Sequence, residues 1–297
     1  GWALPERAVT PESLSLNRRQ LAKGLAAGSV LAAIPLAGLA AQKERPTADL
    51  YPAPRNEALS LSLPVTDKST TGTYNNFYEF GSHKNIWKAA QSLPISPWQV
   101  TIDGLGEKEI RIEAEDLIRR LPLEERVTRH RCVEAWAMTI PWTGFPLARL
   151  VELARPSASA RFLIMQTFFA PEVARNQRQG HFPWPYTEAL TLAEATNDLA
   201  LIVTGAYGRP MARQFGSPLR LAVPWKYGFK HIKSIVRFTF AAARPKTFWE
   251  DIGPSEYGFW ANVNPEFSHP RWSQASEREL GTGERVPTKL YNGYVDF

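Results

Sequence analysis

Between residues 97 and 240, apolar runs alternate with Gly- and Pro-marked breaks, and the spacing inside each run predicts its element. "PWQVTIDG" (Pro97 to Gly104) alternates apolar and polar positions and ends in a glycine, which predicts a strand leading into a turn. "RFLIMQTFF", "LALIVTGA", "PLRLAVPW" and "HIKSIVRFTF" are short apolar or alternating runs between Gly or Pro, and each predicts a strand. "EAEDLIRRL" (Glu113 to Leu121) and "PLARLVELA" (Pro146 to Ala154) carry helical spacing, with Pro146 suited to a first helical position. Several strands with two or three short helices predict a mixed α+β domain. Upstream, residues 42–72 are polar and Pro-containing and predict an extended arm. The catalytic or binding domain is placed at 73–243. Residues 244–297 predict a Trp/Tyr/Pro-rich coil that wraps the same domain, being too short for a module of its own. No internal repeat is found.

The first 41 residues follow another pattern. "LNRRQLAKG" (Leu16 to Gly24) precedes a small-residue apolar run, Leu25 to Ala41, interrupted by Pro35. A positive stretch, a weakly apolar core and small residues near the end describe a secretory signal, and the Arg18-Arg19 pair gives it the twin-arginine form. The run is too short and too rich in Gly and Ala for a membrane anchor. The expectation is a twin-arginine signal peptide over 1–41, passage through the twin-arginine translocase and a periplasmic address. That route carries folded proteins, which suits a cofactor inserted before export.

Composition narrows the classes without choosing among them. The chain has 297 residues and a net charge of +6. Outside the first 41 residues, 31 basic residues meet 27 acidic ones. That balance is too mild and too evenly spread for nucleic-acid binding, and no partner of that kind is expected. Gly-rich phosphate loops, G-x-G-x-x-G and G-x-S-x-G are absent from the sequence, and the five histidines lack metal-ligand spacing.

Cys132, in "RHRCVEAW", is the single cysteine, so a disulfide within the chain is impossible. Three readings stay open: a buried small hydrophobe, a soft-metal ligand, or a nucleophile. His130 would share its strand face. Arg129 and Arg131 lie close enough in sequence to lower the thiol's pKa. Two polar clusters weigh toward a ligand. "YNNFYEFG" (Tyr74 to Gly81) packs two amides, two tyrosines and a carboxylate into eight residues. "GSPLRLAVPWKYGFKHIKSI" (Gly216 to Ile235) sets Arg220, Lys226, Lys230 and Lys233 around Gly and Pro turns, a grouping suited to a phosphate. A thiolate, heterocycle partners and a phosphate site together suit a metal-bound pterin phosphate.

"YNNFYEFG", "PLEERVTRHRCVEAWAM", "PWTGFPL", "PWKYGFKHIKSI", "YGFWANVNP", "HPRWSQASER" and "NGY" closely resemble the catalytic subunits of the periplasmic protein-methionine-sulfoxide reductases. These are bacterial molybdenum enzymes of the sulfite-oxidase fold. The resemblance runs in order from Arg18 onward. It implies an α+β sulfite-oxidase (molybdopterin-binding) fold and a molybdenum–molybdopterin cofactor without an appended nucleotide. It implies Cys132 as the metal's thiolate ligand and catalytic residue. Asn75, Tyr78, Glu79 and Thr167 would contact the pterin; Arg220, His231, Ile232 and Lys233 would hold the pterin and its phosphate. It further implies a monomer that reduces methionine sulfoxide in oxidised periplasmic proteins, fed by a quinol-linked haem membrane subunit. The chain departs from the family at Phe215, where an asparagine is usual, and at His231, where a glycine is usual. Rival expectations are a sulfite oxidase, a small S- or N-oxide reductase, a cofactor-poor exported binding protein, and a metal-free cysteine enzyme.

Overall fold

The computed structural model describes residues 46–297, so the signal segment and the first residues of the arm lie outside the described residues. Two sheets organise the chain. One has the order β2-β1-β10-β5-β6, built from β1 (Gln99–Gly104), β2 (Ile110–Glu113), β5 (Phe162–Thr167), β6 (Thr187–Thr191) and β10 (Ile235–Ala241). Its β1–β10 pair is parallel and its other pairs are antiparallel. The other runs β12-β11-β4-β7-β8. It uses β4 (Trp136–Pro146), β7 (Leu201–Ala206), β8 (Arg209–Pro210), β11 (Ser276–Glu279) and β12 (Arg285–Pro287). Strands β3 (Glu124–Cys132) and β9 (Arg220–Ala222) pair with β4 and β7.

Strand β4 explains why the second sheet forms. Every position of "WAMTIPWTGF" is buried, as befits a central strand covered on both faces. Strand β3 pairs with it from Glu124↔Gly144 to Cys132↔Trp136, which delivers the cysteine to the end of a long hairpin. Polar positions inside β3, such as Arg126, Thr128, His130 and Arg131, are buried too. Arg126 reaches Asp198 O, and Arg131 reaches Glu277 and Gln274, all far away in sequence, so local periodicity gave no strand here. Between the sheets' strands, α2 (Ala114–Arg120), preceded in the chain by α1 (Lys68–Thr73), buries Leu117 and Ile118. Helix α3 (Leu147–Ala154) buries Leu147, Leu150, Val151 and Ala154, one stripe at helical spacing. Pro146 is the N-cap of α3 as well as the last residue of β4, one position earlier than expected. A short α4 (Leu192–Ala195) follows β6 with a Thr191–Glu194 capping box.

Three expectations change. The arm is not bare coil: α1 and two 3-10 turns punctuate it. The Leu61 and Thr66 amides donate to Val127 O (2.8 Å) and Thr139 O (2.9 Å), fastening it along the β3–β4 hairpin. The C-terminal segment is not a coil throughout, since it supplies α5 (Phe248–Ile252) and strands β11 and β12; β11 pairs parallel to β4 at Arg278↔Trp136. The strand expected across "HIKSIVRFTF" begins only at Ile235, which leaves His231 to Lys233 in a connection. Among the described residues, no helix is long and apolar enough to cross a membrane.

Gly144 marks the tightest approach of β4 to β7. A Cβ there would lie 2.1 Å from the backbone oxygen of Ile202, beside the register shift between the strands. Neither backbone can yield without breaking the ladder. Gly144→Ala is expected to cost at least about 2 kcal/mol of stability, read by denaturant unfolding. An unchanged unfolding midpoint would contradict this packing.

Candidate active site

The end of β3 opens onto a cleft that is open to solvent at its mouth. Cys132 and His130 sit on the same strand face and both line it. The 74–79 segment forms one wall. The turn from Gln214 through Arg220 and the connection at 228–233 form another, and Trp249 and Tyr257 close it from the C-terminal segment. Asn75, Tyr78, Glu79, Cys132, Arg220 and Lys233 therefore meet at one cavity, although they span 158 positions of sequence. Thr167, His231 and Ile232 stand one layer behind. Thr167 donates to Ser234 O at 3.1 Å, and Ile232 is core.

The Cys132 thiol is 4 % exposed, and burial pushes its pKa up to about 12, with the Glu134 carboxylate adding to the effect. Lys84 and Arg131 pull it back too little to matter. The flanking arginines thus do not activate the thiol, which without a bound cation is held protonated and reacts slowly at neutral pH. Asn76 Nδ2 lies 3.6 Å from Sγ and donates to it, and Sγ donates to the Glu134 carboxylate at 3.8 Å. Glu134 itself is pulled up by burial, but its contacts with Lys84 and the Trp136 indole hold its pKa below the ordinary value.

The polar atoms behind the thiol are short of partners. Asn75 donates through Nδ2 to Thr71 O at 2.9 Å, and its Oδ1 is buried without a donor. Arg220 donates through Nη1 to Phe215 O at 2.9 Å and lies 4.8 Å from the Trp142 ring centroid; its Nε and Nη2 have no acceptor. Burial alone lowers the guanidinium's pKa, with no carboxylate to raise it. Burial likewise lowers Lys233 and raises Glu79, and the charge of each partly offsets the shift of the other. A buried polar group without a partner costs on the order of 1–3 kcal/mol, and a charge more. Orphaned acceptors and an orphaned guanidinium at one cavity are what a ligand carrying both N–H donors and an anionic group would satisfy.

The pterin phosphate implied by the sequence has those features, and the residues present fit it. Arg220 and Lys233 would take the phosphate, Asn75 and Glu79 ring donors, and Cys132 the metal. Among the described residues, no group of three or more His, Cys, Asp or Glu side chains converges for a metal. A metal on Cys132 would therefore arrive with ligands of its own, as a metal–pterin complex does. Gly216, at φ +97°, lets the 214–220 turn lie against Lys233, where a Cβ would fall 2.5 Å from the lysine Cβ.

Two expected phosphate contacts are withdrawn. Lys226 is spent on Glu194, Trp260 O (2.6 Å) and Asn262 Oδ1 (2.7 Å), and Lys230 on Glu188 at 2.7 Å. Phe215 offers the site its backbone oxygen in place of an amide side chain, while its ring packs edge-on against Trp142. Residues with no expected role also line the cleft: Asn76, Glu134, and the aromatic wall of Tyr186, Phe229, Trp249 and Tyr257. Asn76 was within sight, being half of a flagged amide pair. The aromatic wall had no local signal among 34 such residues.

His130 and His231 meet edge to face at 4.8 Å between ring centroids, both buried. His231 Nε2 lies 3.0 Å from Val223 O and 3.2 Å from Lys226 O, so it carries the hydrogen and leaves Nδ1 as a bare acceptor. Burial, then the nearby Arg220 and Lys233 charges, lowers the His231 pKa well below 6.5. Below pH 6.5 the unfolded chain binds a proton that the folded one refuses, so this stability is present above that pH and lost as pH falls. Relative to His231→Gln, the cofactor-free protein should lose up to about 1.4 kcal/mol per pH unit below about 6.5. Unfolding curves at pH 7.5 and 5.5 read this. Equal losses in both proteins would show that His231 does not fold as a neutral ring.

The family model described as oxidoreductase molybdopterin binding domain matches residues 88–249. The sulfane dehydrogenase SoxCD from Paracoccus pantotrophus has a similar structure, with a TM-score of 0.50 over 92% of this chain and 68% of that one, at 15% sequence identity. At that identity the likeness is one of fold. The α+β, sulfite-oxidase-like architecture expected from the sequence is the one observed. The chain belongs to the oxidoreductase molybdopterin-binding domain family and is a molybdopterin oxidoreductase.

Proposed function

We propose that this protein reduces methionine sulfoxide residues in oxidised periplasmic proteins to methionine. The observation that carries this reading is the cleft, where a single buried thiol faces an aromatic-walled opening with anion and heterocycle partners behind it. When bound, the molybdenum centre would supply two-electron oxygen-atom transfer, in which a sulfoxide, two electrons and two protons give a thioether and water. The protein's own groups bind, orient and exclude water. Cys132 would hold the metal, and Asn76 and Glu134 both contact its sulfur. Tyr78 and Tyr257 keep their phenol protons across the physiological range, since burial raises both pKa values. Each can thus offer an O–H to an oxygen acceptor at the mouth. Trp249, 4.9 Å from Tyr78 and 4.8 Å from Tyr257, completes an apolar rim suited to a thioether's methyl and sulfur.

The cofactor is molybdopterin, and the absence of an appended nucleotide rests on the sequence resemblance. Export by twin arginines and a periplasmic location belong to the same proposal and rest on the Arg18-Arg19 segment; a monomeric state and a haem membrane subunit as electron donor rest on the sequence resemblance.

Protein made in a molybdenum-replete host should carry close to one molybdenum per chain, lost in Cys132→Ser. It should oxidise a reduced dye with methionine sulfoxide, free or in an oxidised protein, and not oxidise sulfite. Molybdenum-loaded protein that oxidises sulfite and ignores methionine sulfoxide would replace this reading with the sulfite-oxidase one. Active protein without molybdenum would remove both.

A further inference from the structure

Arg129 and Arg131 occupy the face of β3 opposite Cys132, and neither faces solvent freely. Arg131 is fully buried. Their common partner is Glu277 on β11, itself 1 % exposed. Glu277 Oε1 accepts from Arg129, and Oε2 accepts from Arg131 Nε and from the Thr288 hydroxyl at 2.7 Å. Arg131 Nη2 donates to Gln274 Oε1 at 2.7 Å, and its Nη1 donates to the Cys132 carbonyl. Gln274 Nε2 and the Trp272 indole both donate to the Val133 carbonyl, each at 2.7 Å. The Arg278 amide donates to Ala135 O at 3.0 Å, where Ala135 holds φ +59° to close the turn between β3 and β4.

We propose that Glu277 and Gln274 are positioning residues, which act through Arg131 to fix the Cys132–Trp136 turn and so the direction in which Sγ enters the cleft. This rests on the reading of Cys132 as the cofactor's ligand. A buried ion pair is a poor device for stability alone, since apolar residues of equal volume commonly hold strands as well. Its worth here is directional. Side-chain donors from Arg131, Trp272 and Gln274 end on the carbonyls of the thiol-bearing residue and its successor. Glu279, which pairs with Arg129 nearer the surface, reaches neither carbonyl. The segment that supplies the clamp lies beyond residue 249, outside the region that matches the molybdopterin-binding family.

Gln274→Met keeps the volume and removes both of that side chain's bonds, and Glu279→Gln is the control. Two readouts are taken: the electron paramagnetic resonance signal of molybdenum in folded, loaded protein, and the rate at which Cys132 of cofactor-free protein reacts with a thiol reagent. Gln274→Met should alter the molybdenum signal and speed thiol modification at least about fivefold; Glu279→Gln should change neither. Should Gln274→Met fail to fold, Thr288→Val removes one hydroxyl of the same network and should move both readouts the same way. A variant that loses only thermal stability, with signal and thiol rate as in the wild type, would make the network purely structural and overturn the proposal. The thiol rate decides the clamp even if the protein takes up no molybdenum, an outcome that would sink the ligand reading instead.

Discussion

A guanidinium buried without a carboxylate is the constraint around which this molecule is arranged. Arg220 stands at the start of β9, 3 % exposed, with one hydrogen bond to a backbone oxygen and an indole face beside it. Elsewhere the fold neutralises its buried cations with care: Lys226 has Glu194, Lys230 has Glu188, and Arg129 and Arg131 share Glu277. Arg220 is the exception; Lys233 beside it has the Glu79 carboxylate within electrostatic reach. The cost of such a group is several kcal/mol, so an anion belongs there.

The architecture follows from bringing that charge to a thiol. Strand β7 carries β9 on one side and β4 on the other, and β4 carries β3, so Arg220 and Cys132 arrive at one cavity from strands of the same sheet. The 74–79 segment lays its amide and carboxylate over the gap, and α5 brings Trp249 to the rim. The C-terminal strands then grip the cysteine's turn from behind. Rigid strands thus carry the groups whose direction matters, and connecting segments carry those that surround a ligand.

Much of the site was legible in the sequence because its residue types are out of place in ordinary core or surface. One cysteine in a chain with export features, adjacent amides among aromatics, and an arginine amid Gly and Pro turns each signalled chemistry. The pairing of charges was not legible. Four cations in one stretch looked alike until Glu188 and Glu194 claimed two of them. Arg129 and Arg131 looked able to tune the thiol, but their partner lies 146 to 148 positions away. Strand β3 stayed hidden for the same reason: buried side chains such as Arg126 and Arg131 find partners through the tertiary fold, and no local period records that. His231 shows the limit from the other side, being read as a contact yet lying behind His130.

The central claim is that the cavity is charged for an anionic cofactor, and Arg220→Met tests it in two opposed directions. The cofactor-free variant should unfold at a higher temperature than cofactor-free wild type, because an uncompensated buried charge has gone. The same variant, produced with molybdenum in excess, should retain far less of the metal. A less stable cofactor-free variant, or one that keeps its full molybdenum, would contradict the account.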